Sequence, residues 1–231
     1  MIETHPLLTE KEISRIKSIV DNFENDWVER SDGFYTLGAS SYLDAATESY
    51  EKYQQKADAI NTKLREQLGF LYKKVEKDLE DHMGQKVTVT KKFAVPGFHI
   101  WLENGLPRIP GPTYHFDVQH LSIPWNGKET TIEETNRDEM FTFTLPIELP
   151  KAGGGLDIWD IDHSEIANQE VEDLIPRRKR YFCTYKLGKM VIHSGLKLHR
   201  VAVTSPIYEG DRRITLQGHG RLIDGQWVLY W

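Results

Sequence analysis

The sequence predicts an α+β protein, with helices first and then an antiparallel sandwich or barrel of short strands that the helices back. Three observations predict it. Apolar residues recur at helical spacing through most of the first 84 positions. After Gly84 the period drops to two, beginning with Val87-Thr88-Val89-Thr90. From there to Trp231, short β-prone runs alternate with Gly, Pro and Asp turn chemistry. No linker divides the 231 residues, so the chain reads as one domain, 1–84 mainly helical support and 85–231 the strand core.

The elements follow in order. Thr9-Glu10-Lys11-Glu12 has the form of a capping box, with Ile13, Ile16, Ile19, Val20 and Phe23 behind it, which predicts a helix over 10–28. Residues 29–40, with Asp32-Gly33 and Gly38-Ala39-Ser40, read as a loop. Ser41 to about His82 is mostly helical, with a break expected near Ser49 or Gly69. Its apolar stripe is Ala57, Ile60, Leu64, Leu68, Leu71, Val75 and Leu79, a spacing that suits packing on a sheet. Strands are expected at 86–93, 97–102, 113–121, 139–148, 155–160, 180–186, 189–193, 198–204, 212–223 and 226–230. Leu106–Pro112 reads as a loop, and Lys186-Leu187-Gly188 and Asp224-Gly225 read as tight hairpins.

Composition sets limits. The net charge of −6 gives no general attraction for nucleic acid. Arg177-Arg178-Lys179-Arg180 is a local exception, better read as a solvated loop or strand entry. No apolar run approaches twenty residues, so no membrane partner is expected. The N-terminus lacks the pattern of a secretory signal, and the lone Cys183 fits a reducing, cytoplasmic compartment as a small buried hydrophobe. Oligomeric state is not legible.

The chemistry centres on Tyr114-His115-Phe116-Asp117. In an extended strand His115 and Asp117 point to one face and Phe116 to the other. An imidazole and a carboxylate side by side are two-thirds of a facial metal site, which needs one more imidazole. His120, His163, His193, His199 and His219 lie downstream. His199 is preferred because it opens an alternating strand with Val201 and Val203 on its own face, whereas His193 ends the previous strand beside a Ser-Gly turn. His120 falls off the ligand face, and His82 and His163 read as surface residues. Further on, Arg213, Thr215, Gln217 and His219 alternate with Ile214, Leu216 and Gly218. A buried arginine with a neighbouring hydroxyl is a bidentate receptor for a carboxylate. Arg212 is the rival, but it falls on the face opposite Thr215.

His115-x-Asp117, a distant His199 and then Arg213-x-Thr215 resemble the Fe(II)/2-oxoglutarate-dependent oxygenases, over roughly residues 86–223. The resemblance implies a double-stranded β-helix, or jelly roll, with supporting helices. It implies Fe(II) held by His115, Asp117 and His199, the co-substrate 2-oxoglutarate held by Arg213 and Thr215, and O2 as oxidant. Halogenases of this type have Gly or Ala where Asp117 stands, so halogenation is not expected; hydroxylation is the default outcome, with desaturation, cyclisation and epoxidation left open. The nucleic-acid demethylase branch carries a second arginine at the position of His219, which argues against a nucleic-acid substrate. A small polar metabolite, a free or modified amino acid, is expected instead. His99, Trp101, Gln119, Trp159, Gln217 and His219 are the candidate substrate contacts. Two rivals stand beside this reading: a cupin-like metal enzyme that does not use 2-oxoglutarate, and a non-catalytic jelly-roll ligand-binding protein. Arg213 separates them.

Overall fold

The computed structural model describes residues 2–108, 114–125, 136, 139–167 and 169–231. Strand β1 (Glu3–Pro6) leads into helix α1 (Glu10–Asn22). The capping box is complete: the Thr9 hydroxyl accepts from the Glu12 N–H, and the Glu12 carboxylate accepts from the Thr9 N–H. The helix stops at Asn22, short of the expected 28, and a 3-10 turn follows over Glu24–Asp26. The expected loop at 29–40 is largely a hairpin of β2 (Val28–Ser31) and β3 (Phe34–Leu37). Its Asp32-Gly33 pair is the turn, with Gly33 at φ 69°. A helical turn over Ser41–Ala45 precedes α2 (Tyr50–Met83). Of the two expected breaks, only Ser49 is real. It caps α2, which then runs through Gly69 to a left-handed Gly84.

The remaining strands are β4 (Val87–Val89), β5 (Gly97–Trp101), β6 (Met140–Glu148), β7 (Gly155–Asp162), β8 (Arg180–Thr184), β9 (Lys189–His193), β10 (Lys197–Val201), β11 (Arg213–Ile223) and β12 (Gln226–Tyr230). A short helix, α3 (Val171–Leu174), lies between β7 and β8. The larger sheet runs β1-β9-β6-β11-β5-β3-β2, with β12 also pairing β11 and β4 pairing β12. The smaller sheet runs β10-β7-β8. All pairs are antiparallel except β4 with β12. The first 84 residues are therefore not only support, since β1, β2 and β3 form both ends of the larger sheet.

Two strand-level expectations need correction. Residues 114–118 form no strand; they make one isolated bridge, His115 to His199, and end in a 3-10 turn over Gln119–Ser122. Their backbone bonds lead to one side only, to His199 and Gly195, and Val118 N–H turns back to the Phe116 carbonyl. The Lys186–Gly188 turn does not join paired strands: β8 belongs to the smaller sheet and β9 to the larger. Asp224-Gly225, by contrast, joins β11 to β12 with both residues at positive φ, 50° and 76°. Residues 109–113 and 126–135, which include most of the Leu106–Pro112 loop, lie outside the described residues.

Two interiors result. Helices α1 and α2 bury Ile16, Val20, Leu64, Leu68, Leu71 and Val75 against Phe98, Ile100, Phe143, Leu145, Ile214 and Leu216 of the larger sheet. The other face of that sheet looks toward the smaller one, with Leu156, Ile158, Tyr185 and Val191 as the apolar bridge between them. This is a jelly roll with helices on its outer face. Among the described residues no helix is long and apolar enough to cross a membrane.

Candidate active site

Strand alternation on β11 assigns its residues to the two interiors. Ile214 and Leu216 join the helix-backed core, so Arg213, Thr215, Gln217 and His219 turn to the inter-sheet side. The pairing of β11 with β5 sets Arg213 beside Trp101 and Thr215 beside His99. Arg213 is 1% exposed and Thr215 fully buried. The guanidinium lies 5.1 Å from the Tyr185 ring, yet its Nε and Nη1 have no hydrogen-bond partner, and neither has the Thr215 hydroxyl. Burial pushes the Arg213 pKa down from its usual high value, with Tyr185 opposing; an arginine stays charged nonetheless. Arg212 behaves differently. It donates to Glu148 at 2.7 Å and to Asp21 at 2.9 Å, on the helix side.

His115, Asp117 and His199 each place one ligand atom within 4.8 Å of the other two. Nε2 of His199 lies 3.4 Å from Asp117 Oδ2, and Nε2 of His115 lies 4.0 Å from Oδ1. The bridge between the His115 and His199 backbones, 3.0 and 3.1 Å, sets the two imidazoles side by side. Asp117 is brought in by its own N–H, which donates to the Gly195 carbonyl at 2.8 Å. Gly195 allows this approach. It sits at φ 73°, and a Cβ there would come within 2.8 Å of both Asp117 Cβ and Thr142 Oγ1. Behind the segment, Tyr114 and Phe116 point away into the cluster of Trp159, Ile161, Leu174 and Leu198. Arg200, held by Asp157, donates to the Tyr114 hydroxyl at 3.0 Å and anchors that side.

Hydrogen bonds orient the three groups. His199 Nδ1 donates to the Lys197 carbonyl at 2.8 Å, which turns Nε2 toward Asp117. Gln119 donates to Asp117 Oδ1 at 2.9 Å, and Thr142 donates to Oδ2 at 2.7 Å. Because the Thr142 proton is committed to Asp117, its oxygen accepts from His219 Nδ1–H at 3.0 Å. The tautomer of His219 follows: Nε2 is a bare acceptor, buried and without a partner. Burial opposes ionisation of Asp117, but His199, His219 and His115 hold its carboxyl well below the usual range. Burial lowers the His199 pKa, and Asp117 overrides it with a net rise. His99 and His193 are both pushed down to about 3, chiefly by burial, so both are neutral. The Tyr42 hydroxyl and His99 Nε2 share a hydrogen bond of 2.7 Å.

The triad opens into a cavity of about 780 Å³ between the sheets. Of the expected substrate contacts, His99, Trp101, Gln119, Gln217 and His219 line it. Trp159 does not. Inward positions on β7 are 156 and 158, so Trp159 lies on the outer face, 4% exposed, near Tyr114 and Arg200. Gln119 arrives from the 3-10 turn after Asp117, not from a strand, and steadies Asp117 itself. His120 is buried near Arg221 and Trp125, away from the triad. His163 stacks edge-on against Phe116. The sequence reading missed several cavity residues. Phe34, stacked at 4.0 Å on Trp101, was hidden in the supposed loop. Thr142 and Thr144 did carry a signal: they alternate with Phe141, Phe143 and Leu145. His193 lines the cavity and accepts from Gly195 N–H at 3.1 Å.

Elsewhere, Cys183 is half-buried and its thiol is pushed up by burial, as for an unreactive cysteine. In the basic run, Arg178 pairs with Glu165, and Arg180 lies 3.9 Å from Asp157.

By fold the chain is similar to solved 2-oxoglutarate-dependent oxygenases, the family that the sequence resembles. No family model matches the sequence, and no curated protein does. Solved structures do match by fold. An N-substituted L-amino acid dioxygenase from Burkholderia ambifaria AMMD superposes with a TM-score of 0.61 at 14% identity, over 100% of this chain and 86% of that one. The non-heme alpha-ketoglutarate-dependent carbocyclase SnoK from nogalamycin biosynthesis gives 0.52 at 11%, over 95% and 81%. EctD from S. alaskensis, solved with 2-oxoglutarate and 5-hydroxyectoine, gives 0.50 at 10%, over 96% and 72%. At these identities the fold is what is shared.

Proposed function

We propose that this chain is an Fe(II)- and 2-oxoglutarate-dependent dioxygenase that hydroxylates an unactivated C–H bond of a small polar metabolite of the amino-acid class. The observation that carries it is Arg213. A buried guanidinium with two unpartnered nitrogens, beside the unpartnered Thr215 hydroxyl, is a receptor of the right chemistry for a carboxylate. An unmet buried donor costs about 1–3 kcal/mol, so a ligand that satisfies it is expected. The donor set of His115, Asp117 and His199 fits Fe(II) in the same way, as two imidazoles and a carboxylate.

His115, Asp117 and His199 would hold the metal, and Arg213 with Thr215 would hold the far carboxylate of 2-oxoglutarate. Bound Fe(II), 2-oxoglutarate and O2 together supply the oxidising power for C–H hydroxylation. The chain's own residues do the rest. Thr142 and Gln119 fix the Asp117 carboxylate, and the Lys197 carbonyl fixes the His199 ring. The Phe34–Trp101 stack gives one wall of the cavity an aromatic surface. His219 Nε2 offers an acceptor to a substrate N–H or O–H.

Within the amino-acid class, a modified member fits better than a free one. Phe34, Trp101, Tyr42 and Leu156 offer apolar surface along the cavity for an added substituent. The dioxygenase from B. ambifaria acts, by its description, on N-substituted L-amino acids, which supports the same choice. The single cysteine suits a cytoplasmic setting. The test is a screen of free and N-substituted amino acids with Fe(II) and 2-oxoglutarate, scored by succinate. Substrate-stimulated succinate is expected. Substrate turnover with metal but without 2-oxoglutarate would instead establish the cupin-like reading.

A further inference from the structure

We infer that the chain carries a second divalent-metal site, built from Glu3, His5 and His82, which fastens strand β1 to the end of helix α2. It shares no residue with the cavity triad and does not depend on the function proposed above.

The local geometry comes from two elements. Glu3 and His5 are two apart on β1, and the burial of that strand alternates, with Glu3 and His5 on its inward side and Thr4 and Pro6 outward. His82 lies in the last turn of α2, one turn beyond Asp78, so the two share a helix face. Antiparallel pairing of β1 with β9 fixes the strand's register. The result brings one ligand atom from each of Glu3, His5 and His82 within 4.8 Å of the others. Glu3 Oε2 stands 3.3 Å from His82 Nε2 and 3.8 Å from His5 Nε2. In a tetrahedral zinc site with bonds of about 2.0–2.1 Å, ligand atoms are separated by roughly 3.3–3.4 Å. Small side-chain rotations close the difference.

A second, independent feature points to a metal. The other ring nitrogen of His5, Nδ1, faces Asp78 Oδ2 at 3.8 Å. That oxygen is out of contact with solvent and has no hydrogen-bond partner. A carboxylate behind one imidazole nitrogen, with the opposite nitrogen aimed at two further donors, is the arrangement that orients a metal-bound histidine. With Nδ1–H directed at Asp78, Nε2 presents its lone pair to the site. The two imidazoles are edge to face at 4.4 Å. Two imidazoles and one carboxylate suit Zn(II), with a water in the fourth position.

Zinc bound per chain should be measured on the full-length protein by equilibrium dialysis against Zn(II) alone, for wild type, His82→Ala, His5→Gln and His199→Ala. His199→Ala removes the cavity site and leaves this one. His82→Ala and His5→Gln should each bind one ion fewer than wild type, and His199→Ala should retain the ion that these two lose. Zn(II) should raise the unfolding temperature of His199→Ala and fail to raise that of the double variant His82→Ala/His199→Ala. Equal stoichiometry in His82→Ala and wild type would overturn the site, as would His199→Ala binding no ion. A cavity triad that binds no zinc leaves the difference between wild type and His82→Ala unchanged, so the two proposals fail separately.

Discussion

Arg213 and Ile214 are adjacent on β11, and both are out of water, yet they belong to different kinds of interior. The face that carries Ile214 and Leu216 is apolar and filled by α1 and α2. The face that carries Arg213, Thr215 and His219 is buried but incomplete. Arg213 Nε and Nη1, Thr215 Oγ1, His219 Nε2 and Gln119 Oε1 have no partner. Burial alone does not explain this, because another buried charge on the chain is fully matched. Asp44 is completely enclosed and takes two bonds from Arg30 at 2.8 Å, one from Lys56 at 2.7 Å and one from the Ser40 N–H. The difference teaches where to look for ligands. The open face is where the proposed carboxylate of 2-oxoglutarate would find its donors.

The largest expected effect breaks the cavity side alone. His199→Ala should abolish succinate formation while leaving the far-UV circular dichroism near that of wild type. Retained turnover would remove His199 from the metal set. Next comes the carboxylate receptor. Truncating one partner of a buried charged pair costs about 2–5 kcal/mol, so Arg213→Ala should weaken apparent 2-oxoglutarate affinity by roughly thirtyfold to several-thousandfold. Arg213→Lys should rescue it poorly, since an ammonium lacks the planar fork. Unchanged 2-oxoglutarate dependence in both variants would show that the open guanidinium is not the receptor.

The saturated charge sharpens the contrast. Asp44→Asn leaves Arg30 buried and unpaired, at a cost of about 3–5 kcal/mol in stability. Burial would raise the Asp44 pKa, but Arg30, Lys56 and Ser40 hold it below the usual carboxylate value. A depressed folded-state pKa stabilises above the unfolded value, about 3.9, and that stability is lost as pH falls through the folded value. The gap between wild type and Asp44→Asn in urea unfolding should therefore be widest near neutrality and shrink below about pH 4. A gap independent of pH would mean that the lost contacts are not ionic.

The packed face gives a smaller and different signature. Leu216→Ala should cost about 2–5 kcal/mol in stability and leave 2-oxoglutarate affinity of the folded protein unchanged. A shifted affinity would show that the two interiors are mechanically linked through β11. The smallest effect belongs to Arg212. Its ion pairs with Glu148 and Asp21 are partly exposed, so Arg212→Ala should cost no more than about 1 kcal/mol. A large loss of 2-oxoglutarate affinity there would mean that the strand register is off by one.

Much of this was legible in the chain as written. Alternation on β11 separated Arg213 from Arg212, because strand geometry turns successive side chains to opposite faces. The capping box and the turn at Asp224-Gly225 were local chemistry, and each formed where expected. His115 and Asp117 share a side for a reason the sequence only half supplied. Their segment is extended, but it is held by a pair of bonds to His199 and one to Gly195, not by a ladder. Trp159 shows the limit in the other direction. Period two placed it on a common face with Asp157, yet nothing local says which face of β7 looks inward.

The sequence by itself determined periodicity, caps, tight turns and the residue types that a metal and a carboxylate need. These rest on contacts within a few positions, which any window of the chain contains. Only the tertiary structure decided that Phe34 joins the cavity, that β1 closes the larger sheet against β9, and that Thr142 carries a hydrogen bond from His219 to Asp117. Those contacts join residues far apart in the chain. Their partners are chosen by sheet order and by the closing of two sheets on each other, and neither is encoded in any one stretch.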